Sequence, residues 1–134
     1  MAVQHSIAVR DAKLAAQEAA IGTAPLLRIR TGAQPANCAA SRSGTILVSI
    51  TLPSDWLTAP SSGAAAKAGT WSAASIATGT AAHYEIMDST GTICHEQGSV
   101  SLSGGGGDMI IQNTSIVTPQ VVTVTTYNVS QGPA

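Results

Sequence analysis

Cys94-His95 is the first place to look for a nucleophile beside its base. Neighbours on a strand point to opposite faces, so an adjacent pair on an extended segment does not meet. No motif places a second His, and Cys94 reads as a small buried hydrophobe. His83-Tyr84-Glu85 is the next candidate, because residues i and i+2 of a strand share a face. A hairpin following it would bring His95 or Glu96 opposite, depending on a register that the sequence leaves open. A His/Glu/His set suits zinc at ligand distances of about 2.0–2.2 Å. The competing reading, a solvent-facing polar stripe of cross-strand pairs, is preferred, and no metal ligand is assigned. The His-x-Glu string lacks the later Pro-Cys-x-x-Cys that a zinc deaminase requires.

Paired carboxylates fare no better. Asp55, Asp88 and Asp108 all fall in turn or loop contexts, where Asp is favoured for its backbone hydrogen bonds. Gly104–Gly107 lacks the Gly-Lys-Ser/Thr ending of a phosphate loop. Trp56 and Trp71 flank a small-residue loop, where they would form either a sugar-stacking platform or, the preferred reading, a plug for a core. No catalytic or cofactor-binding residue is assigned, no cofactor is implied, and the chain is expected not to be an enzyme.

The elements that must carry these residues are mainly strands. Residues 3–21 read as a helix: Ala is abundant, no Pro or Gly interrupts, and Gly22 and Pro25 supply the stop. Its larger apolar residues, Val3, Ile7, Leu14 and Ile21, form a narrow stripe, flanked by alanines that permit close approach. Two placements stay open, across the chain's own sheet or as an arm on a neighbouring subunit. Beyond Gly22 the period changes to two. Leu26–Thr31 puts Leu27 and Ile29 on one face and Arg28 and Arg30 on the other. Thr45–Leu52 puts Ile46, Val48, Ile50 and Leu52 together. Ser54–Gly69 reads as an irregular loop and Thr70–Ile76 as a weak strand. Ala82–Met87 and Thr92–Gln97 form a hairpin, with a type I turn at Asp88-Ser89-Thr90-Gly91 and Gly91 left-handed. Val100 and Leu102 extend its second strand, the four glycines form a flexible tip, and Met109–Gln112 and Gln120–Val129 complete the set. The expected fold is mainly β: a β-sandwich or jelly-roll-like domain over 23–134, preceded by one N-terminal α-helical arm over 1–22.

Composition narrows the function. A chain of 134 residues is one domain, able to bury roughly two thirds of its unfolded surface without a metal or disulfide staple. Phe is absent and four aromatics serve the whole chain, so Ile, Val, Leu and Ala must build the core. Charged residues make up 10% against an ordinary value of about 25%, and the net charge is −1. So little charge suits a protein covered by neighbours better than a free one. The six basic residues are dispersed, against the clustered cations that nucleic acid requires. Met1–Arg10 has neither the basic nor the apolar region of a signal peptide, and no apolar run approaches the ~20 residues of a membrane span. A cytoplasmic site of synthesis is the default, and there Cys38 and Cys94 are expected as free, buried thiols.

The order of segments adds a resemblance. The helix Ala8-Val9-Arg10-Asp11-Ala12-Lys13-Leu14-Ala15 leads into Leu27-Arg28-Ile29-Arg30-Thr31-Gly32-Ala33-Gln34-Pro35. Leu52-Pro53-Ser54-Asp55-Trp56, Thr78-Gly79-Thr80-Ala81-Ala82-His83-Tyr84 and Gly107-Asp108-Met109 follow. Over nearly its whole length the chain resembles a family of small structural proteins of tailed bacteriophages and prophages. The shared features are the Ala-rich helix, an L-x-I-x-T-G-x-x-P strand-turn and a T-G-T-A-x-x-aromatic strand. Arg30 departs from the family's usual aromatic, and His83-Tyr84 alters the later strand. The resemblance implies a virion protein assembled in the bacterial host cytoplasm, with structural motifs and no active site. Capsid decoration (a cement protein bridging subunits of the head lattice) is the first expectation; its partners would be the phage major capsid protein and copies of itself. A tail, neck or baseplate component is the second. A virion module binding host-surface glycan through Trp56 and Trp71 is the third. The assembly contacts expected are Val3, Ile7, Leu14, Ile21, Trp56 and Trp71.

Overall fold

The computed structural model describes residues 3–130; the outermost positions of the two expected units, 1–2 and 131–134, lie outside it. One helix, α1 (Ile7–Ile21), precedes β1 (Leu26–Arg30), β2 (Ile46–Thr51), β3 (Ala64–Ala66), β4 (Ser72–Ala74) and β5 (Gly79–Thr80). The hairpin β6 (His83–Met87) and β7 (Cys94–Ser101) follows, then β8 (Met109–Ile111), β9 (Ser115–Ile116) and β10 (Val121–Ser130). The main sheet runs β2-β1-β6-β7-β8-β10-β3, with β4 also paired to β10; β5 and β9 form a separate short ribbon. Pairing is antiparallel except between β7 and β8. The sheet curls into a half-barrel, and the mainly β, sandwich-like class with one leading helix is the observed one. Its ends approach each other where the Ile76 amide, just past β4, donates to the Leu47 carbonyl of β2 at 2.8 Å.

The helix is shorter than its composition suggests. Ser6 is extended and its hydroxyl accepts the Val9 amide at 3.3 Å, an N-cap that starts the helix at Ile7 and leaves Val3 outside it. Gly22 closes the other end, its amide donating to the Glu18 carbonyl. Of the two placements left open, the chain takes the first. Leu14 and Ile21 are buried, Asp11 accepts the Gly63 amide at 2.7 Å and Glu18 accepts the Leu57 amide at 2.9 Å. The helix is therefore part of the domain and not a free arm.

Register explains where the sheet departs from simple alternation. A bulge between Ile29 and Arg30 shifts the β1–β2 pairing, so Leu47 is buried beside Val48 instead of facing away. The Ser54–Gly69 segment is not all loop, because Ala64–Ala66 pairs with β10. The hairpin forms as expected, with Gly91 at φ 73°. The glycine tip is a turn fastened to the end of β7, where the Ser101 hydroxyl accepts the Gly107 amide at 2.9 Å.

All four aromatics line up inside the half-barrel. Ring centroids are 6.1 Å apart for Trp56–Trp71, 5.2 Å for Trp71–Tyr127 and 6.2 Å for the edge-on pair Tyr84–Tyr127. Leu27, Ile29, Val48, Ile50, Ile86 and Val124 complete this core. Gly98 is required beside it: a Cβ there would stand 2.6 Å from the Tyr84 ring, so any side chain displaces the tyrosine.

Candidate functional site

The hairpin β6–β7 concentrates the polar side chains, and its register decides which of them meet. Glu85 faces Gln97, Ile86 faces Glu96, and a bulge makes Met87 face Cys94, leaving His95 as the extra, exposed residue. His83, Glu85 and His95 are therefore not brought together. All five residues of β6 are buried, which also overturns the expected solvent-facing stripe.

Its outer face is roofed by the excursion between β1 and β2. Glu85, fully buried, receives Arg30 Nε at 2.7 Å on Oε1 and Arg42 Nη1 at 3.2 Å on Oε2. Arg42 rises from the roof and also donates to the Gln97 side chain at 3.0 Å and to the carbonyls of Asn37 (2.9 Å), Cys38 (3.3 Å) and Ala40 (2.9 Å). Gln97 in turn donates to the Pro35 carbonyl at 2.7 Å. His83 donates through Nδ1 to the Gly32 carbonyl, 3.0 Å away. Two guanidinium groups hold both oxygens of Glu85, so a metal would have to displace them. Among the described residues no group of three His, Cys, Asp or Glu is placed to hold a metal ion.

Cys38 and Cys94 are free, half-buried and in contact at this roof, with sulfurs 2.7 Å apart. Burial first, and then Cys38, push the Cys94 thiol up to about 12. It is thus protonated at neutral pH, the opposite of an activated nucleophile.

On the inner face Glu96 Oε2 accepts the hydroxyls of Tyr84 (2.7 Å) and Tyr127 (2.6 Å), while Oε1 accepts the Gln17 amide of α1 at 3.0 Å. Burial first, and then the Glu96 charge, raise both tyrosine hydroxyls above their ordinary value of 10.0. The indole N–H groups are also satisfied, Trp56 by the Gly22 carbonyl at 3.1 Å and Trp71 by Ala68 at 3.0 Å. Both tryptophans are 0% exposed, so neither offers a ring face to a sugar.

Asp88 accepts the amides of Thr92 and Ile93, and Asp108 that of Ser99, the backbone roles expected of turn aspartates. Asp55 lies instead beside Glu18, at a cleft of about 280 Å³ lined also by Ala15, Ala19, Gly22 and Thr23. Burial is the main cause that raises the Glu18 carboxyl above its ordinary range.

Comparison with protein-family profiles, with curated proteins and with solved structures found no match.

Of the six expected assembly contacts, Leu14, Ile21, Trp56 and Trp71 are buried in the chain's own core, Ile21 alone keeping a small exposed fraction. Val3 and Ile7 are exposed, at 74% and 56%. The expectation failed for the other four because apolar residues on a helix and a loop satisfy intramolecular and intermolecular packing alike. A second exposed apolar group, at one corner of the sheet, went unread: Ile76, Val117 and Val121. The segments carrying it are tied by the Ser75 amide to Gln120 (2.7 Å) and by the Thr118 hydroxyl to the Ser75 carbonyl (2.9 Å). Strand periodicity places Ile76 at the end of a weak strand and Val121 in a strong one, and gives no hint that they meet beside the loop carrying Val117. Arg42 and Gln97 were missed as well. The one available signal was Glu85 itself, an acid amid apolar strand residues in a chain poor in charge, which demands a cation nearby.

Proposed function

We propose that this chain is a structural subunit of a tailed-phage particle, in the first place a decoration protein that cements the capsid lattice. One observation carries the assembly half of the reading. The acids of the hairpin are consumed internally, Glu85 by arginines and Glu96 by tyrosines, while large aliphatic side chains remain on the surface at Val3, Ile7, Ile76, Val117 and Val121. Scattered exposed apolar residues are ordinary, but a cluster of three at one corner, on a chain with 10% charge, favours a covered surface. The phage half rests on the resemblance of the helix, strand-turn and hairpin segments. Binding across neighbouring capsid subunits would stabilise the closed lattice by mass action, since the protein binds intact lattice and not ruptured lattice. The partners are then the major capsid protein and further copies of this chain, and the location is the virion, reached by assembly in the host cytoplasm.

Co-sedimentation with heads assembled without the protein tests this. Binding at a copy number that tracks lattice sites, weakened by Ile76→Asp and Val117→Asp in a protein that still folds, is the expected result. Binding to purified tails instead assigns the chain to the tail, neck or baseplate, and binding to neither ends the proposal.

A further inference from the structure

We infer that Cys38 and Cys94 form an intramolecular disulfide that locks the segment 31–45 over the outer face of the hairpin. The segment leaves β1 and returns to β2 with its ends already joined: the Thr31 amide donates to the Thr45 carbonyl at 3.1 Å, and the Thr31 hydroxyl accepts the Thr45 amide at 2.9 Å. Its middle is fastened by polar contacts, from Arg42 to Glu85 and Gln97, and from Gln97 to Pro35. Those contacts bring Cys38, on the roof, to Cys94, on β7, across 56 positions of sequence. Arg42 holds both sides of the pair, donating to the Cys38 carbonyl at 3.3 Å and to the Cys94 sulfur at 3.5 Å. Two thiols delivered to each other by a buried ion-pair network, and left half-exposed, are placed to be linked.

The oxidant is a low-molecular-weight disulfide such as oxidised glutathione. One cysteine thiolate attacks it, forming a mixed disulfide and releasing one glutathione, which takes up the proton. The second cysteine, deprotonated, attacks the protein sulfur of the mixed disulfide and expels the second glutathione. Two protein thiols are oxidised and one external disulfide is reduced to two thiols, so atoms and electrons balance. The high-lying Cys94 thiol keeps thiolate scarce at neutral pH, so closure is slow there and accelerates as pH rises. The lock does not depend on the assembly reading. For a particle built in a reducing cytoplasm, however, it would close after release.

The full chain, reduced and then equilibrated with oxidised glutathione, provides the test. Thiol titration is expected to fall from two to none, with an intact mass lower by two hydrogens and monomer mobility without reductant. The oxidised form should melt about 10 °C higher, since a long loop is closed in the unfolded chain, and dithiothreitol should reverse the shift. Cys38→Ser and Cys94→Ser should each abolish it, and the unmutated protein in its two redox states keeps the test intact if either variant folds poorly. Persistence of both thiols, linkage between chains, or an oxidised protein melting at the reduced temperature would each overturn the inference.

Discussion

Glu85 and Glu96 sit on the same hairpin, on opposite faces, and the chain solves the burial of each in a different way. On the outer face Glu85 is matched by charge, with two guanidinium groups on one carboxylate and the excess positive charge spread over roof carbonyls. On the inner face Glu96 is matched by neutral donors, two tyrosine hydroxyls and one amide. Counter-charges attract strongly, but removing one leaves the rest uncompensated. Neutral donors hold an anion less tightly, and removing one leaves the Glu96 carboxylate with the other two still in place. The charged face binds a loop to the sheet; the neutral face anchors the aromatic row and the helix.

Replacing each acid by its amide separates the two solutions, with the largest effect on the outer face. Glu85→Gln leaves Arg30 and Arg42 buried against a neutral group, and should cost about 3–5 kcal/mol. Glu96→Gln keeps an acceptor for the tyrosines and should cost about 1–2 kcal/mol. Urea denaturation of both variants measures the difference. Equal losses would mean that charge matching contributes nothing distinctive to the outer face.

The inner face can be tested by pH. Both tyrosine hydroxyls are raised from 10.0, chiefly by burial, so the unfolded chain ionises above that value while the folded chain does not. Their contribution is fully present below pH 10.0 and is lost as pH climbs beyond it. Tyrosinate absorbance should therefore appear together with unfolding and not ahead of it. Tyr127→Phe should cost about 1 kcal/mol at neutral pH and flatten this alkaline decline. Tyrosinate forming in the folded protein would show the inner face to be open to water.

What could be read in the sequence follows from how local its cause is. The hairpin was legible because Asp88 to Gly91 encodes its own turn, and β10 because Val and Thr dominate it. The helix stop at Gly22 was legible too; its start at Ile7 was overrun, although Ser6 is a capping residue. Ala64–Ala66 could not be read, because alanine has little strand preference and only pairing with β10 makes it one. The same limit hid the outer face. Alternation placed Glu85 opposite the core side but could not reveal that residues 31–45 return to cover it, or that they carry Arg42 and Cys38. At the tryptophans the preferred reading, a core plug, matches their burial, while their use as contacts does not.

The smallest effect lies at the exposed turn that joins the two faces. Asp88 accepts the Ile93 amide, the Thr90 hydroxyl at 2.6 Å and the Thr92 amide, and these bonds, Ile93 first, lower its carboxyl from 3.8 to about 2. The folded state thus releases this proton more readily than the unfolded state. The resulting stability is complete above pH 3.8 and disappears as pH falls to about 2. Asp88→Asn retains a carbonyl acceptor but removes the charge, so it should lower the melting temperature slightly at neutral pH and leave it unchanged at the acid end. The two melting curves should converge across that window. Because the turn sets the register that sends Glu85 outward and Glu96 inward, a loss at Asp88 approaching that of Glu85→Gln would mean the register slips. The contrast between the faces would then be a property of the turn, not of the acids that display it.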